Sequence, residues 1–307
     1  MPSGRPRDAT LTDFFRTRND AMRDVLQTVG KVLDRDASIL LLGESGTGKD
    51  YLAAAIHACS NRRNEPFVHV DCASIPHDLF ESEMFGHERG TFTDAQSRQL
   101  GRLELAQRGT VYFDEITALT PPLQAKLLRA VEERRFTRLG GHQPLPFEAR
   151  VISSSNADVE ALLATGELRR DLFYRINVVT ITLPSLRERK EDILPLVKSF
   201  AGKRSVDPRA KRLLQAHLWP GNIRELRNAV DRAVLLGDTI TEDALALTPP
   251  TGLVPLAARA AWSLADLEAQ YIREILRQTR NNFSHAARIL GINRKTLLEK
   301  RKRYGIE

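Results

Sequence analysis

Ser38-Ile-Leu-Leu-Leu42, followed at once by Gly43-Glu-Ser-Gly-Thr-Gly-Lys49, is the stretch that decides the fold. The apolar run reads as a buried strand, and Tyr51 to Ala58, just past the lysine, reads as a helix. Between them the residues keep the G-x-x-x-x-G-K spacing of a phosphate-binding loop. Such a loop folds into a nest of backbone N–H groups, the following helix adds the positive end of its dipole, and the lysine can reach β- and γ-phosphates. Gly43, Glu44, Ser45, Gly46, Thr47, Gly48, Lys49 and Asp50 are therefore the candidate nucleotide-binding residues. The hydroxyl residue that ordinarily follows the lysine and holds Mg²⁺ is Asp50 here.

Outward from this loop, four more β-rich runs alternate with amphipathic stretches: Phe67 to Asp71, Thr110 to Asp114, Arg150 to Ser154 and Val178 to Thr182. Five buried strands separated by helices predict a parallel α/β sheet. The third run ends in Asp114 and Glu115. At a strand end after a phosphate loop, Asp114 is placed to hold Mg²⁺ through water, and Glu115 to orient and deprotonate an attacking water. Beyond Leu183 the β-branched runs stop, and 188–200, 208–217, 222–236 and 242–247 read as short helices of a small lid domain. Thr248 to Pro255 holds three prolines and marks a linker.

Composition narrows the class. The 307 residues are 42% hydrophobic and 28% charged, an ordinary globular profile that excludes disordered, collagen-like and disulfide-rich chains. There is neither a run of about 18 apolar residues nor a signal peptide, so no membrane role is expected and the cytoplasm is the expected location. The two cysteines, Cys59 and Cys72, predict neither a disulfide framework nor a zinc site. Of the net +7, residues 263–307 carry ten Lys/Arg against five acids, a net +5, which leaves +2 for the rest and points the tail toward a polyanion.

Taken together, the motifs resemble those of the bacterial enhancer-binding proteins, AAA+ ATPases that activate the sigma-54 form of RNA polymerase. Beyond the phosphate loop, the resemblance rests on Phe85-Gly-His-Glu-Arg-Gly-Thr-Phe-Thr-Asp-Ala95, Gly109 to Ile116, Leu183-Pro-Ser-Leu-Arg-Glu-Arg189 and Trp219-Pro-Gly-Asn-Ile-Arg-Glu-Leu226. It implies an AAA+ five-stranded parallel sheet with a helical lid, ATP and Mg²⁺ as cofactors, and ATP hydrolysis coupled to transcription activation. Ser155 and Asn156 match the residues that sense the γ-phosphate, and Arg224 the lid arginine that senses nucleotide. Arg169 and Arg175 match arginine fingers that reach a neighbouring subunit, which implies a homo-oligomeric ring, usually a hexamer. Asp71 stands where the family often has the asparagine that pairs with the catalytic glutamate.

The family grips sigma-54 through a loop reading Gly-Ala-Phe-Thr-Gly-Ala, which here is Gly90-Thr-Phe-Thr-Asp-Ala95. Gly90, Phe92 and Thr93 are the expected contacts, while Thr91 and Asp94 depart from the pattern. The tail matches a Fis-type helix-turn-helix: an amphipathic helix over Leu264 to Thr279, a helix from Asn282, a Gly291 turn, and a last helix opening at Asn293. Arg294, Lys295 and Thr296 are the expected readers of double-stranded DNA, and Lys300 and Arg301 the expected phosphate contacts. The expected layout is a short extension at 1–15, the ATPase subdomain at 16–185, the lid at 186–247, a linker at 248–262 and the DNA-binding domain at 263–307. So short an extension has too few residues for a receiver domain and predicts control by a separate regulatory protein, by a paired activator or by expression level. The expected activity is remodelling of the sigma-54 RNA polymerase holoenzyme from upstream DNA. The alternative is a DNA-bound regulator, a repressor or one acting on another polymerase form, whose altered loop does not engage sigma-54.

Overall fold

The structure is a computed structural model that describes residues 10–92, 97–247, 263–279 and 282–306. The chain divides into two compact units, Met1–Leu245 and Ala246–Glu307.

In the first unit the five β-rich runs form one parallel sheet of β1 (Ile39–Leu42), β2 (Phe67–Asp71), β3 (Thr110–Asp114), β4 (Arg150–Ser155) and β5 (Val179–Thr182). Its strand order is β2-β3-β4-β1-β5, so β1 lies between β4 and β5 and the phosphate loop leaves the interior of the sheet. The chain crosses sides at β1, and open α/β sheets bind ligands outside the carboxyl ends of their strands at such a point. Register then sets the neighbours: Asp71 lies beside Asp114, and Leu42 lies between Ser155 and Thr182.

The inner strands β1, β3 and β4 are buried on both faces, whereas the outer strands β2 and β5 are partly exposed. On one face Leu41, Tyr112 and Ile152 pack under helix α1 (Asp20–Val32) and helix α2 (Lys49–Cys59), through Val29, Leu52 and Ile56. On the other, Val111, Phe113 and Val151 pack against helix α3 (His77–Phe85) and helix α4 (Pro121–Glu133), through Phe80, Met84, Leu123 and Leu127.

The lid is built from α5 (Ile193–Ala201), α6 (Pro208–Ala216) and α7 (Asn222–Leu236), with a short helical turn over Glu242–Leu245. The helix expected from residue 188 begins later. Ser185 and Glu188 close a reciprocal capping box on a single 3₁₀ turn, and a second such turn, Lys190–Asp192, precedes α5. Trp219 is fully buried and anchors the lid, its indole N–H donating to the Leu214 carbonyl at 2.8 Å.

The second unit contains α8 (Leu264–Gln278), α9 (Phe283–Ile289) and α10 (Arg294–Arg303), with Ser263, Asn282 and Asn293 capping their N-termini through side-chain oxygens. Ile272, Ile275, Leu276, Ala286, Ala287, Leu297 and Ile306 form its core. Ala286 and Ala287 are small enough to let helices cross closely. The expected linker at 248–262 lies outside the described residues. Among the described residues no helix is long and apolar enough to cross a membrane.

Candidate active site

The phosphate loop is clasped by the lid. Position 46 must be glycine, because a Cβ there would lie 2.4 Å from the Gly221 carbonyl oxygen and φ of Gly46 is +77°. Ser45 accepts a hydrogen bond from Arg224 at 2.9 Å, and its carbonyl accepts one from Asn222 Nδ2 at 3.0 Å. Glu44 takes a second bond from Asn222, at 3.1 Å, and both terminal nitrogens of Arg187. Hydrogen bonds from Arg187 and then Asn222 hold its carboxyl down at about 2, against an ordinary 4.5. Arg189 is buried and donates to the Thr47 carbonyl at 2.7 Å, and its Nε has no partner among the described groups.

Lys49 is only 6% exposed and folds back onto its own loop, donating to the carbonyls of Gly43 at 2.8 Å and Glu44 at 3.3 Å. Its ammonium also lies 3.6 Å from the Glu115 carboxylate, so the loop and the second acid of the strand end meet at one cation. Glu115 has a left-handed backbone, φ +52°, uncommon for a residue with a side chain. Its N–H donates to Ser154 Oγ at 3.0 Å, and its carboxylate accepts the Asn156 N–H at 3.0 Å.

Asp114 is held by its neighbours. Tyr112 and Ser154 both donate to its Oδ1, and His69 Nε2 lies 3.7 Å from its Oδ2. Burial alone would raise its pKa, but His69, Ser154 and Tyr112 outweigh burial and keep the carboxyl well below the usual range. In return Asp114 draws the His69 imidazole up against the opposing effect of burial. Asp71 does not pair with Glu115. Its carboxylate accepts from the N–H groups of Ala73 and Ser74 and shapes its own turn, while Glu115 is held by Asn156 and Lys49.

Beside the loop opens a cavity of about 500 Å³, lined by Phe15, Gly46, Tyr51, Arg189, Ile223 and Arg224 among others. That volume suits a small organic ligand. Phe14 and Phe15 pack edge-on against Tyr51, with ring centroids 6.2 and 5.2 Å away, and form an aromatic wall. A left-handed glycine cradle, a buried cation with an unpartnered nitrogen, and an apolar wall together fit a nucleoside triphosphate. Asp114 with its ionised carboxylate, and Asp50 at the first turn of α2, fit a divalent cation.

The two arginines expected as fingers are not brought to this cluster. Arg169 is exposed and makes a bidentate pair with Asp171, and Arg175 donates to the Val131 carbonyl at 3.3 Å. In the second unit Arg294 and Lys295 are exposed at the opening of α10, and the Thr296 N–H is taken by the Asn293 cap. Lys300 is paired with Glu268 at 2.7 Å, and Arg301 donates to the Ile306 carbonyl at 2.9 Å with its guanidinium over the Phe283 ring. These last two cations are therefore engaged inside the module.

A family model described as the sigma-54 interaction domain matches residues 15–182. The chain belongs to that AAA+ family. An AAA+ ATPase lid domain matches residues 187–249, and a bacterial regulatory protein domain of the Fis family matches residues 263–304. The transcriptional regulatory protein FlbD of Caulobacter vibrioides is 42% identical, over 96% of this chain and 72% of that protein. The regulatory protein AtoC of Escherichia coli is 42% identical, over 95% of this chain and 68% of that protein. Among solved structures, NtrX from Brucella abortus in complex with ATP is similar with a TM-score of 0.70 and 33% identity, covering 98% of this chain and 71% of that one.

In this sigma-54-interaction chain the loop that carries the expected contacts leaves α3. Gly90 turns with φ +82°, and Phe92 is 45% exposed with its ring edge-on to His87 at 4.9 Å. Thr93 and Asp94 lie outside the described residues. Sequence reasoning named Glu44 as part of the loop but missed its clasp partners Arg187 and Asn222, and also Arg189, His69 and Tyr51. Arg187, Arg189 and Asn222 stand inside motifs legible in the sequence, but nothing in their spacing says which loop they would touch.

Proposed function

We propose that this chain is a sigma-54-dependent transcription activator that binds upstream double-stranded DNA, hydrolyses ATP as a ring, and remodels the polymerase holoenzyme so that the promoter opens. The observation that carries the reading is Lys49, whose ammonium meets both the phosphate loop and Glu115 while the lid is hydrogen-bonded to the same loop. In this reading 16–185 is the ATPase subdomain, 186–247 the lid, 248–262 the linker and 263–307 the DNA-binding domain.

The chemistry follows from the charges. Lys49 exchanges its carbonyl partners for phosphate oxygens of the substrate, a stronger charge-assisted contact, and the backbone N–H groups of 43–49 cradle the rest. Mg²⁺, held through Asp114 with Asp50 close by, supplies neutralisation of phosphate charge when bound. Glu115 positions and deprotonates the attacking water, and Asn156 fixes the carboxylate through its N–H. Arg169 and Arg175, which do not reach the chain's own loop, serve the nucleotide of the next subunit in a hexameric ring, where a guanidinium offsets developing charge. Arg224 and Asn222 pass the state of the loop to the lid. Phe92 and Thr93 grip sigma-54, an exposed aromatic beside a hydroxyl being suited to a partner surface. Arg294 and Lys295 face the DNA.

Transcription in vitro tests the reading, with purified chain, sigma-54 holoenzyme and a supercoiled promoter bearing an upstream site selected for residues 263–307. Transcripts that need hydrolysable ATP and vanish with Glu115→Ala are the expected result. ATP hydrolysis and DNA binding without transcripts, alongside a working control activator, would replace it with a regulator that does not engage sigma-54.

A further inference from the structure

Two arms leave the acid-bearing end of the sheet. One runs from Asp71 at the end of β2 through α3 into residues 86–92, and the other from Asp114 at the end of β3 through α4 into the turn at 138–141. These arms meet through residues that do not line the nucleotide cavity. The Glu88 N–H donates to the Leu139 carbonyl at 3.0 Å, and the Leu139 N–H to the Gly86 carbonyl at 2.9 Å. Arg138, 7% exposed, ties the stem through Glu88 at 2.7 Å and through both oxygens of Glu104.

Closer to Phe92 the fastening is a single side chain among the described residues. Thr91 Oγ1 lies 2.6 Å from the Glu88 carbonyl oxygen and 3.0 Å from that of Leu139. A hydroxyl has one proton to give, so it is shared between a carbonyl of its own loop and one of the opposite turn. The opposite turn is shaped to receive it: Gly140 has φ +69°, and a Cβ there would lie 2.4 Å from Thr91 Oγ1 and 3.1 Å from its Cγ2. The alanine of the family pattern has no such proton, so the fastening comes with the threonine.

We infer that Thr91 is a latch, its hydroxyl fastening the base of the Phe92 loop to the 138–141 turn so that the two arms move as one body. Its consequence for sigma-54, a fixed presentation of Phe92, rests on the proposed contact role of that loop.

Hydrogen exchange on the full-length chain tests the latch without any partner. Thr91→Val keeps the shape and removes the proton, while Thr91→Ser keeps the proton. Loss of a hydrogen bond of ordinary net strength speeds local opening by about five- to tenfold. The expected result is that acceleration in peptides covering residues 86–92 and 138–141 for Thr91→Val, near-normal exchange for Thr91→Ser, and unchanged far-UV circular dichroism in both. Normal exchange in Thr91→Val overturns the latch, as does Thr91→Ser behaving like Thr91→Val, which would make the methyl group the fastener. A second arm compares Gly140→Ala alone and combined with Thr91→Ala: the fit of the turn around Thr91 predicts a smaller disturbance in the double variant, and strict additivity contradicts it. Sigma-54 pull-down with Phe92→Ala judges the contact role separately: retained binding removes that role and leaves the exchange result standing.

Discussion

Glu44→Gln removes the charge of the clasp between phosphate loop and lid while keeping its shape. The carboxylate accepts from Arg187 and Asn222, and its pKa falls from 4.5 to about 2. For a fully buried pair that displacement would correspond to about 3.4 kcal/mol. The Glu44 side chain is 43% exposed and its arginine 41%, so solvent screening reduces the contribution to about 1 kcal/mol. Because the folded pKa is the depressed one, the stabilisation is fully present above pH 4.5 and is lost as pH falls from there toward about 2. Calorimetry should show the variant melting about 2–4 °C below the parent at pH 7, with the gap narrowing below pH 4.5. Nucleotide affinity should weaken in parallel, since the same residues hold the loop against the lid. A gap that stays constant between pH 7 and pH 3.5, or no gap at neutral pH, would refute the argument that the carboxylate charge carries the clasp.

Two further outcomes concern the nucleotide site and two the DNA-binding module. Glu115→Gln should cut ATP turnover on the order of 100-fold or more while binding of a non-hydrolysable analogue stays near normal; equal loss of binding would move Glu115 from the chemistry to the architecture of the loop. Arg169→Ala and Glu115→Gln chains, each inactive alone, should regain turnover when mixed, because each supplies what its neighbour lacks; no recovery at any mixing ratio speaks against fingers acting between subunits. Arg294→Ala and Lys295→Ala should each lower the salt slope of DNA binding by about 1, measured by fluorescence anisotropy over a salt series. Lys300→Ala, whose ammonium is already paired with Glu268, should change that slope less, and an equal change would show that the pair opens on DNA.

Much of the site was legible because its signals are local. The phosphate loop is a spacing of glycines and one lysine between a strand and a helix, and its conformation is set within a few residues. Asp114 and Glu115 were readable for the same reason, as the end of an apolar run. What escaped reading was partnership over distance. The sequence places Arg187 and Asn222 in motifs, but only folding puts them on Glu44, 143 and 178 residues away. Asp71 stands where the family often has the asparagine that pairs with the catalytic glutamate, and only the folded backbone shows its carboxylate closing its own turn on the N–H groups of Ala73 and Ser74. Lys300 and Arg301 were expected as phosphate contacts, and only the helix packing shows that Glu268 lies beside one and the Ile306 carbonyl beside the other.

The sequence by itself determined the five strands, most of the helices, the glycine positions of the phosphate loop, the two acids at the end of β3 and the basic opening of α10, because periodicity, turn chemistry and charge act over a few residues; the 3₁₀ turns before α5 escaped that reading. The order β2-β3-β4-β1-β5, the placing of Asp71 beside Asp114, the closing of the lid on Ser45 and the meeting of Thr91 with Leu139 were decided by the tertiary structure. Each of these depends on which apolar faces bury against one another, a choice made by the whole core and invisible in any one segment.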